Sequence, residues 1–421
     1  MESYPERQGR SRFRRRGRML AAGVGAVALV LVAAACSSSG SGGSSGAAVK
    51  GGTAVMAEFP SSPPNYAFPF MNSQYASNSN IFDLQWLMYR PLYWFGTGAQ
   101  PTLNTSLSLA SPATFSGTKV TINLKHYMWS NGTQVTADDV MFWLHMLLAV
   151  PQDWGLGNGF PQDAHDITVV SPTELTMVMN KPYNPTWWQY NELSQITPMP
   201  AAWDRTASGP SHCDTTISDC AAVYSYLNSQ STDEAGYATS PIWGIVDGPW
   251  KLSAFSSDGH MTFVPNKSYS GPVKPKLAAF EEVPFTTDAA EYDVLQSPSS
   301  TTKIDYGYLP PQDAPDKAPG ATTGANPLRG YTLSPLYAFG IDYYSINEQS
   351  STGNGPILKQ LYFRQVMAYL TNQEAVIKGP LRGYGVPTVG PIGSTPATEF
   401  LSPTGKAQAA GDVGPFPYDP T

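Results

Sequence analysis

Apolar positions recur along this chain in short blocks, each closed off by Gly, Pro, Asn or Ser. Val120, Ile122 and Leu124 alternate with polar residues, the two-residue period of a strand with one wet face. Asn131-Gly132 then marks a tight turn between β segments. Thr136 precedes Ala137, Asp138 and Asp139, which predicts a helix capped at Thr136 with two carboxylates at the positive end of its dipole. Val140, Leu144, Leu147 and Leu148 form one face of that helix. Gly51 to Met56 reads as an opening strand, and Ile167 to Met179 as a strand pair turning at Ser171-Pro172. Further strands are expected at Met261 to Val264, Phe280 to Phe285 and Tyr337 to Asn347. Phe82, Trp86, Leu87, Tyr89 and Leu92 predict a buried helix over Phe82 to Tyr93. Leu361 to Lys378 predicts one amphipathic helix with Arg364, Gln365 and Gln373 on its wet side. No period of 20 to 50 residues suggests a solenoid or propeller.

The N-terminus follows a different pattern. Arg7, Arg10, Arg12, Arg14, Arg15, Arg16 and Arg18 precede an uncharged run from Met19 to Ala35, the order of a secretory signal. The run is shorter than the roughly 20 apolar residues of a stable membrane helix. Ala33, Ala34 and Ala35 suit a peptidase cleft, and Cys36 offers a thiol for acylation. The segment resembles a lipobox, with Ala33 where the usual pattern has Leu. We therefore expect a signal peptide over residues 1–35 and a lipid-anchored Ser/Gly linker over 36–49, in which Ser37 to Gly46 forms a flexible tether. Palmitate or a similar chain on Cys36 would hold the protein at the outer face of the cell membrane.

Composition narrows the function classes. Charged residues make up 14% of the chain and the net charge is −7 despite the basic leader, so no basic stripe is left to neutralise phosphates and nucleic-acid binding is excluded. Cys213 and Cys220 are the other two cysteines, and in an oxidising compartment they are expected to form a disulfide. The five histidines lack metal-ligand spacing, His212 beside Cys213 included, and no zinc-protease, nucleophile-elbow or phosphate-loop motif is present. No cofactor or metal site is predicted. Adjacent Asp138 and Asp139 point apart on a helix, and Glu281 and Glu282 alternate sides of a strand and are expected to be solvated. A scattered Ser-His-Asp triad stays open, which keeps a secreted hydrolase as the alternative class. Aromatic residues reach 12%. Tyr75, Trp187, Trp188, Trp203, Trp243 and Tyr337 are candidates for the walls of a polar-ligand cleft, whereas Trp86, Trp129 and Trp250 are expected in the core.

Trp129 to Val140, WSNGTQVTADDV, resembles the signature of the family 5 extracellular solute-binding proteins of ABC transporters, the peptide- and nickel-binding class. Asp247 to Leu252, Val264 to Tyr269, Lys303 to Asp305, Tyr362 to Tyr369 and Pro417 to Pro420 resemble further segments of that family in the same order. The resemblance implies an α/β fold, the two-lobed periplasmic-binding-protein-like fold (class II) with an extra domain. By analogy, lobe I takes residues 50–80 and 185–335, the extra domain takes 81–184, and a partial lobe II, incomplete in this chain, takes 336–421. It implies a monomeric binding protein without catalytic residues, which captures an oligopeptide or other small polar ligand and delivers it to ABC permease subunits. Nickel chelates, haem and oligosaccharides belong to the same range of ligands. Asn72, Ser73, Gln74 and Tyr75 fall in the loop after the first lobe I strand, which contacts ligand in the family, and Tyr337 and Tyr343 fall near the hinge. The acidic residue that pairs with a peptide's ammonium group in the family lies beyond the matched portion and is not carried over.

Overall fold

A computed structural model of the protein describes residues 51–70, 72–75, 79–96, 102–155, 159–297, 303–335, 340–388, 390, 392–393, 401–410 and 418–419. The signal peptide, Cys36 and Tyr337 lie outside the described residues.

The strands are β1 (Thr53–Ala57), β2 (Thr114–Ser116), β3 (Lys119–Asn123), β4 (Ala164–Ser171), β5 (Glu174–Met179), β6 (Arg205–Thr206), β7 (Gly209–Pro210), β8 (Trp250–Phe255), β9 (Met261–Pro265) and β10 (Ala279–Val283). The helices are α1 (Ser79–Met88), α2 (Ala137–Ala149), the single turn α3 (Pro185–Trp187), α4 (Ile217–Ser231), α5 (Asp288–Gln296), α6 (Gly355–Leu358), α7 (Leu361–Leu370), α8 (Gln373–Lys378) and α9 (Pro403–Ala410). Together they give the α/β class read from the sequence.

Two four-stranded sheets carry the fold, in the orders β1-β10-β9-β8 and β2-β3-β5-β4. In the first, β1 runs parallel to β10, with Met56 opposite Glu282, while β10-β9 and β9-β8 pair antiparallel. A further parallel segment lies along the free side of β1, where Met56 bridges Tyr306 and the Ala57 amide donates to the Tyr306 carbonyl. Leu252, Met261 and Phe263 of this sheet join the main core, whereas Ala57 packs with Leu295, Ile304 and Leu328 in a smaller cluster. The sheet is thus covered on both faces.

The second sheet is antiparallel, and β4 and β5 pair as the pattern predicts, with the turn at Pro172-Thr173, one residue past the expected Ser171-Pro172. Helix α2 starts within the Trp129 to Val140 segment. The side chain of Asp139 accepts from the Thr136 amide (2.8 Å) and from the Trp129 indole (3.0 Å), closing the first turn against the preceding loop. Trp129 is 1% exposed and Asp139 is buried, and burial raises the Asp139 carboxyl to about 6. The signature therefore reads as a lock between loop, helix and core.

A second shared motif packs just as closely. The Gly248 amide donates to the Met88 carbonyl at the end of α1, and a Cβ at Gly248 would lie 2.5 Å from the Leu87 carbonyl oxygen. Only glycine permits that approach. Cys213 and Cys220 form a disulfide at the start of α4, both buried.

Several expectations are corrected. Trp86 is 50% exposed rather than in the core, because α1 buries the face of Ile81, Leu84 and Met88 and leaves Trp86 on the other side, leaning on Phe82 and Trp94. Conversely, Trp188, Trp203 and Trp243 are fully buried, with Trp203 and Trp243 packed edge to face at 5.2 Å, so they are core and not cleft. The helix expected over Leu361 to Lys378 breaks at Thr371-Asn372. Thr371 is extended, and the Asn372 side chain accepts from the Ala375 amide to cap α8. Residues 340–347 of the strand expected at Tyr337 to Asn347 form no ladder, since no described strand lies beside them. Glu282 is 1% exposed instead of solvated, because β10 is an inner strand.

Candidate functional site: an aromatic platform over buried carboxylates

Three parallel chain segments end together on one edge of the first sheet: β1, β10 and the stretch through Tyr306. In open α/β sheets, ligands bind at the carboxyl ends of such strands. At this edge the chain places Phe59, Tyr306 and Tyr308. The Phe59 and Tyr308 rings stack with centroids 4.0 Å apart, and Tyr306 meets Tyr308 edge to face at 6.0 Å. Phe59 is 43% and Tyr306 55% exposed, so the three rings form a platform open to solvent.

The platform is held from below. Asn80, fully buried in the first turn of α1, accepts from the Phe59 amide and donates to the carbonyls of Phe59 and Ser62. The Glu58 amide donates to Val283 and the Ser61 amide to Phe285, tying the loop after β1 to the end of β10. Glu291 of α5 accepts from the Tyr308 amide. A Cβ at Gly307 would lie 2.8 Å from that carboxylate.

Close to Tyr308 lies an acidic floor, from which Asp83, Glu282 and Glu291 act electrostatically on its hydroxyl. Glu58 and Glu282 are each 1% exposed, and all four of their carboxylate oxygens are buried without a hydrogen-bond partner among the described residues. Burial, with the nearby Asp83 and Asp258, raises Glu58 to about 8. Burial, Asp83 and Glu58 raise Glu282 well above the usual carboxyl range. Burial alone lifts Asp83 to about 6, and burial lifts Glu291 to about 7 against the Tyr308 amide bond. Two adjacent carboxyls without donors cannot both ionise, so the floor holds protons near neutrality.

The residues singled out in the sequence lie elsewhere or are spread out. Asn72 is buried, with its amide donating to the Tyr224 hydroxyl, while Ser73 and Gln74 are exposed and Tyr75 stacks on Tyr66 at 4.4 Å. Tyr343 is 73% exposed in an unpaired stretch. Sequence reading missed Glu58, Phe59, Asp83, Tyr306 and Tyr308. One signal was available, a Glu-Phe-Pro sequence directly after the opening strand.

Among the described residues no three His, Cys, Asp or Glu side chains converge to hold a metal ion, and no serine hydroxyl bonds a histidine ring nitrogen. No described helix is long and apolar enough to cross a membrane.

The profile of the bacterial extracellular solute-binding proteins, family 5 middle, matches residues 109–421. The chain belongs to this family. Family 5 proteins are extracytoplasmic transport components and not enzymes. Among solved structures, the fold is similar to the oligopeptide-binding protein AppA of Bacillus subtilis in complex with a nonapeptide, with TM-score 0.59 and 17% identity over 82% of this chain and 59% of that one. It is also similar to a mannohexaose-bound periplasmic oligopeptide-binding protein of Thermotoga maritima, with TM-score 0.59 and 18% identity over 87% and 60% of the two chains. A third is DppA of Helicobacter pylori with the peptide STSA, with TM-score 0.54 and 15% identity over 82% and 62%. The chain thus spans about 60% of the length of these structures. Comparison with curated proteins finds no match.

Proposed function

We propose that this family 5 chain captures oligopeptides, or a related small polar solute, outside the cell membrane and delivers them to the permease of an ABC importer. The observation that carries this reading is the open aromatic platform at the carboxyl ends of parallel strands, built by a chain of a solute-binding family. Peptides in two of the similar structures make an oligopeptide the first choice of ligand, and the mannohexaose in the third keeps oligosaccharides in range. Acylated Cys36, a Ser/Gly tether and a monomeric body complete the proposal, because a tethered clamp stays within reach of a membrane partner. The division into lobe I (50–80 and 185–335), extra domain (81–184) and partial lobe II (336–421) belongs to it as well. So do ligand contacts from Ser73, Gln74 and Tyr75, with Asn72 holding their loop, and from Tyr337 and Tyr343.

Binding to the folded state raises its melting temperature by mass action. A thermal-shift screen of the full chain against a tripeptide and tetrapeptide library is expected to give stabilising peptides that are recovered intact, with the shift reduced in Phe59→Ala. Cleavage of the stabilising peptides would favour a hydrolase. Absence of any shift would refute peptide capture.

A further inference from the structure

The acidic floor has no role in simple capture of a neutral solute. Glu58 and Glu282 are buried with four carboxylate oxygens that have no hydrogen-bond partner among the described residues, and burying a carboxyl without a donor is costly. Replacing both by apolar residues would remove that cost. The arrangement instead places protonated carboxyls, which become negative only on losing a proton, close to an open aromatic surface.

Resting on the proposed capture of a solute at this edge, we propose that the Phe59-Tyr306-Tyr308 platform is a subsite for a cationic group, an ammonium or guanidinium, taken up in exchange for a carboxyl proton of the floor. Aromatic faces attract cations through their quadrupole, and the two exposed rings supply such faces. Asp83 stands half-buried beside Tyr308, while Glu58 and Glu282 act from deeper in the fold. A cation above the rings lowers the cost of ionising these groups, so a proton leaves to solvent as the ligand's charge arrives, and the site's net charge is unchanged.

The groups facing the floor come from every neighbouring element. Glu58 follows β1, Asp83 stands on α1, Glu282 on β10 and Glu291 on α5, with Asp258 in the turn between β8 and β9. His260 lies in that same turn, with Nε2 3.7 Å from Glu281, and is the nearest basic side chain on these elements. The Lys303-Asp305 ion pair lies on the edge segment, where the lysine is matched already. The floor is thus left with more carboxyls than cations.

The test is calorimetric titration of the full chain with N-acetyl-Ala-Arg-Ala-amide and with its citrulline isostere, which keeps shape and loses charge. The arginine peptide is expected to bind about tenfold tighter. Its apparent enthalpy should differ between phosphate and Tris buffers at about pH 7 by the amount that signals proton release. Asp83→Asn and Phe59→Ala should each erase most of the preference, and Phe59 is exposed enough for its variant to fold. Equal affinities that Phe59→Ala weakens overturn the cation assignment and keep capture at this edge. Equal affinities indifferent to Phe59→Ala, or no binding by either peptide, overturn both.

Discussion

The protein is expected to be markedly less stable at about pH 8 than at about pH 5, by on the order of 5 kcal/mol. The cause is the set of buried carboxyls, of which Glu58 and Glu282 contribute most. In the folded chain Glu58 is raised from 4.5 to about 8, and Glu282 is raised well above 4.5. Between 4.5 and the folded value, the native state keeps a proton that the unfolded chain has released. Stability therefore falls as pH rises through that window, at about 1.4 kcal/mol per pH unit for each such group. Asp247, held to about 7 by burial despite the adjacent Arg90, and Glu291 add to the same slope over a narrower range. Melting temperatures recorded across this pH range check the expectation. Glu282→Gln, neutral at every pH and able to donate to Glu58, should raise the melting temperature at about pH 8 and change little at about pH 5. An equal loss at both values would show that the carboxyl is needed in its ionised form.

The second large effect is expected at Trp129. Truncating this fully buried indole to alanine should cost about 3–5 kcal/mol, from lost packing and the cavity left behind. Trp129→Phe keeps a six-membered ring but removes the pyrrole part of the indole together with its donor to Asp139, for which about 1–3 kcal/mol is expected. Urea unfolding of the two variants measures both. Peptide affinity, corrected for the folded fraction, should be unchanged in Trp129→Phe, because the residue lies in the core and away from the strand ends. Loss of affinity with unchanged stability would make the signature a ligand contact instead of a lock.

The fold was legible where one element's own residues decide its state. Thr136 and Asp139 announce the start of α2, and the alternation of Val120, Ile122 and Leu124 marks β3 because one sheet face stays polar. Legibility failed where the outcome depends on what packs alongside. Glu281-Glu282 has the same alternation as a half-exposed strand, yet β10 lies between β1 and β9 with cover on both faces, so one carboxyl is forced inside. Trp86 has helical spacing to its apolar neighbours, but α1 turns its Ile81-Leu84-Met88 face to the core. The break at Thr371-Asn372 was hidden because Asn372 caps a helix only once Thr371 has left it. The candidate site was the least legible part. Phe59, Asp83 and Tyr308 come from three distant stretches of chain, and only the parallel alignment of β1 with β10 and the Tyr306 segment brings them to one edge.

Solute is expected to land on the edge formed by Phe59, Tyr306 and Tyr308. Hydroxyl-radical footprinting of the full chain, with and without a stabilising peptide from the thermal-shift screen, tests it most directly. Protection concentrated on Phe59, Tyr306 and Tyr308, with Trp86 and Tyr418 unchanged, is the predicted result; unchanged reactivity at all three platform rings would contradict the claim.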